Sequence, residues 1–178
     1  ELIRLYTIRA NIQGNVYGHD TQWQDDFEAS FKYEETVDQL KAINDIKKDM
    51  ESGKMMDRLV CGDVGFGKTE VAFRAIFKAI MAGKQCAMLC PTTILSQQHY
   101  NTAKNRFKDF PVEIEILNRF AASKEAKKSR ENLKNGECDL IIGTHTLLSK
   151  NIEFKNLGLI VIDEEQRFGV NHKEALKK

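Results

Sequence analysis

Gly62-Asp63-Val64-Gly65-Phe66-Gly67-Lys68-Thr69 decides how the rest of the chain is read. It fits the phosphate-loop pattern GxxxxGK[ST]. Before it, Leu59-Val60-Cys61 is a short apolar run suited to a buried parallel strand; after it, Glu70 to Phe77 is apolar at helical spacing. A strand that turns through glycines into a helix points successive backbone N–H groups, and the positive end of the helix dipole, at one phosphate. Lys68 then reaches the β- and γ-phosphates of a nucleotide, and the Thr69 hydroxyl binds Mg²⁺. The plain alternative is a glycine turn between strand and helix. It needs three glycines, Lys-Thr and the strand–helix setting to coincide by chance.

Downstream the pattern alternates. Cys86 to Cys90 reads as a strand ending at Pro91, and Thr92-Thr93 opens a helix that runs through Leu95 and Tyr100 to Phe107. Val112 to Leu117 is the next strand, and a charged helix from Ser123 to Asn135 stops at Gly136. Asp139 to Ile142 is a strand leading to Gly143-Thr144-His145, and Leu157 to Ile162 is another, leading to Asp163-Glu164-Glu165-Gln166. Such alternation predicts an α/β fold, a parallel sheet with helices on both faces. Right-handed crossovers bring every strand's C-terminal end to one edge, where ligands bind. Each polar cluster follows a strand, which points to a single active edge.

Asp163 and Glu164 supply what phosphoryl transfer to water requires: an acid for Mg²⁺ and a neighbouring carboxylate to orient the attacking water. The competing description is a solvated acidic loop. Gln166 fits a link between nucleotide state and a partner surface. Thr92, Thr93, Gly143, Thr144 and His145 offer hydroxyls and N–H groups at helix starts, suited to a nucleic-acid backbone and blind to base sequence. Helix capping by threonine explains the same residues equally well.

Upstream, residues 1–30 read as connector: a short helix through Leu2, Ile3, Leu5, Tyr6 and Ile8, a break at Gly18-His19-Asp20-Thr21, and a helix carrying Trp23 and Phe27. Thr36-Val37-Asp38-Gln39 is a capping box, with Val37, Leu40, Ile43, Ile46 and Met50 as the buried stripe behind it. Capping alone accounts for Gln39. An aromatic such as Phe31 followed by a glutamine at a helix start also suits stacking on adenine and reading its edge.

Composition sets the outer bounds. At 178 residues, 42% hydrophobic and 30% charged, the chain matches about one globular domain. No apolar run approaches the ~18 residues of a membrane span. Net charge is +1, so nucleic-acid contact has to be local. Cys61, Cys86, Cys90 and Cys138 lack CxxC spacing and read as reduced, buried thiols of a cytoplasmic protein rather than a zinc site.

Together these motifs resemble the first RecA-like motor domain of superfamily 2 helicases and translocases. The resemblance spans about residues 31–178, preceded by the connector helices of 1–30. It makes Gly62–Thr69 motif I, Pro91–Tyr100 motif Ia, Gly143–His145 the next DNA-binding motif and Asp163–Gln166 motif II. It implies ATP and Mg²⁺ as cofactors, Lys68, Asp163 and Glu164 as catalytic residues, and Thr69 and Asp163 as metal ligands. Phe31, Gln39, Gly62, Gly65, Phe66, Gly67, Lys68, Thr69 and Gln166 are the implied nucleotide contacts. Thr92, Thr93, Gln98, Gly143, Thr144 and His145 are the implied contacts to double-stranded DNA. Met56–Ala72 and Asp163–Val170 are most similar to the branch that clears stalled RNA polymerase and recruits excision-repair proteins. The branch that remodels branched DNA typically has Ser at Phe66, Leu at Glu70 and Gln at Glu165. Motif III onward is absent, so the resemblance implies an incomplete motor domain, a sheet with an unfilled central position, and a piece with very low ATPase activity. A phosphate loop that merely stabilises an interaction module stands as the alternative of another class.

Overall fold

The computed structural model describes residues 13–62 and 67–168. The helix expected over residues 2–11, the loop residues Gly65 and Phe66, and Gly169-Val170 lie outside them. The chain divides into two compact units, residues 1–82 and 83–178.

In the first unit, α1 (Gln22–Ala29) and α2 (Val37–Glu51) pack on α3 (Lys68–Met81). Phe27 of α1 is fully buried and stacks on Phe77 of α3, with ring centroids 4.3 Å apart. Trp23, expected on the same face, is half exposed. The capping box at the start of α2 forms as expected: Gln39 N–H donates to Thr36 Oγ1 at 3.2 Å, and Thr36 N–H donates to Gln39 Oε1 at 2.8 Å. The buried stripe behind it is corrected. Gln39, Ile43, Ile46 and Met50 are buried, whereas Val37 is 83% exposed and Leu40 is exposed as well. At about 3.6 residues per turn Val37 falls opposite Ile46 and well round the helix from Ile43 and Met50, so it cannot share their face.

Helix α3 is buried on almost every side, and three of its buried residues are charged: Glu70, Arg74 and Lys78. Lys78 Nζ donates to Gly18 O at 2.8 Å and to Asp20 and Glu51, each at 2.7 Å. Lys47 joins Asp20 (2.6 Å) to Glu28 (2.5 Å). Arg74 pairs with Glu70 at 3.0 Å, with Glu28 at 3.7 Å and with Glu35. Buried charges persist only when paired, and here every one is.

One expected element is missing. Leu59-Val60-Cys61 forms no strand; Leu59 is 75% exposed and Cys61 is exposed. A three-residue run has few ladder bonds to hold it. The preceding residue is drawn to α2 instead, where Arg58 Nε donates to Asp49 Oδ2 at 2.6 Å. Cys61 is therefore the exception among cysteines expected to be buried.

The second unit is a parallel sheet of β1 (Gln85–Leu89), β2 (Ile114–Leu117), β3 (Leu140–Gly143) and β4 (Leu157–Ile162), in the order β2-β3-β1-β4. Helix α4 (Thr93–Arg106) carries the chain from β1 past β3 to β2, and α5 (Ser123–Asn135) brings it back to β3. These steps run in opposite directions, so right-handed crossovers put the two helices on opposite faces. Ala87, Leu89, Leu117 and Ile141 pack with Leu133 of α5 on one face. Alternation turns Cys86, Met88, Leu140 and Ile142 to the other, where α4 packs. Leu89, Gly143 and Ile162 share a register position, as do Leu117 and Gly143. The segments after all four strands therefore leave from one edge. Burial pushes the Cys86 and Cys138 thiols far up. It also pushes Cys90 up, to about 12, with the charge of Asp163 adding to the shift.

Candidate nucleotide site

In the first unit the phosphate loop ends at Gly67, the residue before α3, with φ +74°. A side chain is strained at that angle, and space forbids one as well: a Cβ there would lie 2.2 Å from Gln39 Nε2. The Gln39 amide thus makes the capping bond through its oxygen while its nitrogen abuts the loop. Lys68, in the first turn of α3, donates from Nζ to Gly62 O at 2.6 Å and so spans the loop from end to end. Thr69, the next residue, is half-buried. Phe31 stands beneath the Arg74 guanidinium, 5.4 Å from ring centroid to Cζ, with Tyr33 edge-on at 5.6 Å. Burial alone would lower the Arg74 value, but hydrogen bonds with Glu35 and Glu70 outweigh it and hold it raised.

In the second unit Asp163 follows β4 directly. Its N–H donates to Leu89 O at 2.9 Å, and its Oδ2 lies 2.7 Å from His99 Nε2 of α4. Glu164 has a left-handed backbone, φ 51° and ψ 53°, the only positive φ outside glycine among the described residues. Arg167 Nε lies 2.6 Å from Glu164 Oε2, an ion pair rather than an aligned hydrogen bond. Glu165 and Gln166 are exposed on a 3₁₀ turn that Phe168 anchors in the core.

At the same edge Thr92 caps α4, accepting from Leu95 N–H at 3.2 Å. Thr92, Gln98 and His145 are exposed and Thr93 is half-buried. Gly143 and Thr144 are buried. Gly143 is required by packing, since a Cβ would lie 2.3 Å from Leu117 O. The Thr144 hydroxyl lies 3.4 Å from that of Thr146, which in turn donates to Leu117 O at 3.2 Å. Three contributors escaped the sequence reading: His99, Arg74 and Arg167. Only their residue types were visible, because their partners are distant in the chain or set by the local turn.

Residues 36–178 match the family model described as DEAD/DEAH box helicase. The chain belongs to the DEAD/DEAH box helicase family. It is 57% identical over 178 residues to the transcription-repair-coupling factor of Bacillus subtilis (strain 168), covering 100% of this chain and 15% of that protein. It is 58% identical over 177 residues to the factor of the same name from Staphylococcus aureus (strain USA300), covering 99% and 15%. A solved structure of RecG bound to a three-way DNA junction superposes with a TM-score of 0.86 at 37% identity, over 93% of this chain and 23% of that one. The chain thus spans 15% of the length of the curated relatives quoted. The RecA-like α/β fold and the resemblance to the coupling factors both hold. This family of ATP-dependent helicases and translocases binds nucleotide together with a metal. Among the described residues of this member, no helix is long and apolar enough to cross a membrane, and no group of three or more His, Cys, Asp or Glu is placed to hold an ion.

Proposed function

We propose that this chain is the ATP-binding motor domain of a cytoplasmic double-stranded DNA translocase that removes stalled RNA polymerase and couples transcription to nucleotide excision repair. The observation that carries the proposal is the 57–58% identity, end to end, to proteins named as coupling factors. Gly62–Thr69 and Asp163–Glu164 stand within that matched stretch.

The chemistry divides among named groups. Loop amides and Lys68 hold the β- and γ-phosphates, Phe31 and Gln39 take the adenine, and Glu164 orients the attacking water. Gln166 reports nucleotide state. That the described residues hold no group of three or more His, Cys, Asp or Glu placed for an ion is no obstacle to a metal: magnesium in such sites keeps several waters and takes one or two protein oxygens beside the phosphates. The Thr69 hydroxyl and the Asp163 carboxylate are the hard oxygen donors it favours. These two side chains would supply protein oxygens to Mg²⁺, which when bound would neutralise charge building on the phosphate oxygens. Thr92, Thr93, Gln98, Gly143, Thr144 and His145 form the duplex contact, with Gly143 and Thr144 contributing through the backbone of their turn. RNA polymerase and the repair proteins are met by regions outside this chain.

A branched-DNA helicase is the second reading, favoured by the RecG superposition. Phe66, Glu70 and Glu165 weigh against it. Titration with a fluorescent ATP analogue tests the core of the proposal. Lys68→Ala should weaken binding by at least tenfold, the loss of a charge-assisted phosphate contact of about 1.5–3 kcal/mol. Unchanged affinity would make the loop a structural relic and leave an interaction module as the better description.

A further inference from the structure

Helix α4 turns Ser96, His99 and Ala103 inward at spacings of three and four residues; Ser96 and Ala103 are fully buried, and the His99 side chain is only 14% exposed. Its Nε2 lies 2.7 Å from Asp163 Oδ2. An ionised carboxylate has only acceptor lone pairs, so the imidazole N–H donates. The Asp163 backbone is fixed separately, by its N–H bond to Leu89 O. One element therefore holds the main chain of Asp163 and another holds its side chain. The carboxylate stays 28% exposed, and an ionised carboxylate has about four lone-pair sites, more than one imidazole N–H can use.

We propose that His99 is a positioning residue for the metal-binding acid: it holds the Asp163 carboxylate in the orientation that accepts a divalent cation. The proposal rests on the nucleotide-site assignment above. A carboxylate turns about a broad, roughly two-fold torsion, so without a partner it samples orientations that do not serve a metal. Hydrogen bonds to metal-ligating side chains fix that orientation, and their removal typically costs about 10–100-fold in metal affinity or activity. A histidine that only stabilises the core would leave the metal dependence alone.

Gln and Met at position 99 are close in size, and only Gln retains an N–H donor. We expect His99→Gln and His99→Met to unfold at similar temperatures. A fluorescent ATP analogue is titrated into the chain with Mg²⁺ and again with EDTA. In the parent chain Mg²⁺ should tighten binding. In His99→Met that gain should shrink by roughly tenfold while the EDTA affinity is unchanged, and His99→Gln should recover most of it. Direct Mn²⁺ titration in the presence of the analogue, read by electron paramagnetic resonance, should show the same order. If His99→Met keeps the full Mg²⁺ gain, or loses affinity equally with and without metal, the positioning role is wrong. If the parent chain itself shows no Mg²⁺ gain, the nucleotide-site assignment fails and takes this inference with it.

Discussion

Replacing Arg74 by Met tests whether charge holds the first unit together. The guanidinium is 2% exposed and faces Glu70, Glu28 and Glu35. Removing it strands Glu70, which is itself only 7% exposed; Glu28 and Glu35 are 21% and 26% exposed and recover water more easily. Breaking a buried pair from one side costs about 3–5 kcal/mol, and the partial exposure of two partners places this case near 3. With a urea dependence of about 1 kcal/mol per molar for so small a unit, the midpoint should fall by about 3 M. The chain has a single tryptophan, Trp23 in α1, so its fluorescence reports on this unit. Adding Glu70→Gln to Arg74→Met should restore more than half of the loss, because the stranded charge is then gone. A shift below about 1 kcal/mol, or a double variant no better than the single, would refute the view that Arg74 neutralises buried carboxylates.

Three further outcomes follow from the geometry. Gly67→Ala should destabilise the unit by about 1–2 kcal/mol from its left-handed backbone alone, and by displacing Gln39 it should abolish binding of the fluorescent analogue. Gly143→Ala should lower the thermal midpoint even without DNA, since its Cβ would meet a backbone oxygen that cannot move away; an unchanged midpoint would shift the weight of Gly143 to ligand contact. Acid should unfold the first unit early. Hydrogen bonds to Lys47 and Lys78 outweigh burial and hold Asp20 low, while Arg74 does the same for Glu35 and Lys78 for Glu51. Each carboxyl ionises more readily folded than unfolded. Each therefore adds stability above its unfolded value near 4, and loses it as pH falls through the lower folded value. Lys47 and Arg74, both raised, lose their contribution only as pH climbs past their ordinary values. The Trp23 unfolding midpoint should be level from pH 6 to 9 and drop below about 4.

The second unit was legible almost residue by residue. β4 and α5 begin and end where apolar runs, a charged stretch and Gly136 place them. Those signals are local, and local signals survive translation into structure. The first unit was less legible because its organising force is long-range pairing of charges, and nothing near Arg74 or Lys78 in sequence announces Glu35, Asp20 or Glu51. The segment 59–61 failed for a related reason: strand propensity acts only when a neighbour accepts the ladder, and Arg58 commits this stretch to α2. At the site, the phosphate loop and motif II carry their own signatures. His99 carries none; its meaning comes from a contact 64 residues away.

Arg74 and Lys78 sit one turn apart on α3, each gripped by a different set of carboxylates. Purely oily helix faces can slip by a turn, about 5.4 Å, at little penalty. Here such a slip would pull Lys78 away from Asp20 and Glu51 and Arg74 away from Glu28 and Glu35, breaking both sets of pairs at once. The helix is thus indexed lengthwise, like a key whose teeth admit one depth. Lys68 rides on the same rod about 15 Å from Lys78, and so the reach of the amine proposed to grip phosphate is set by counterions at the far end.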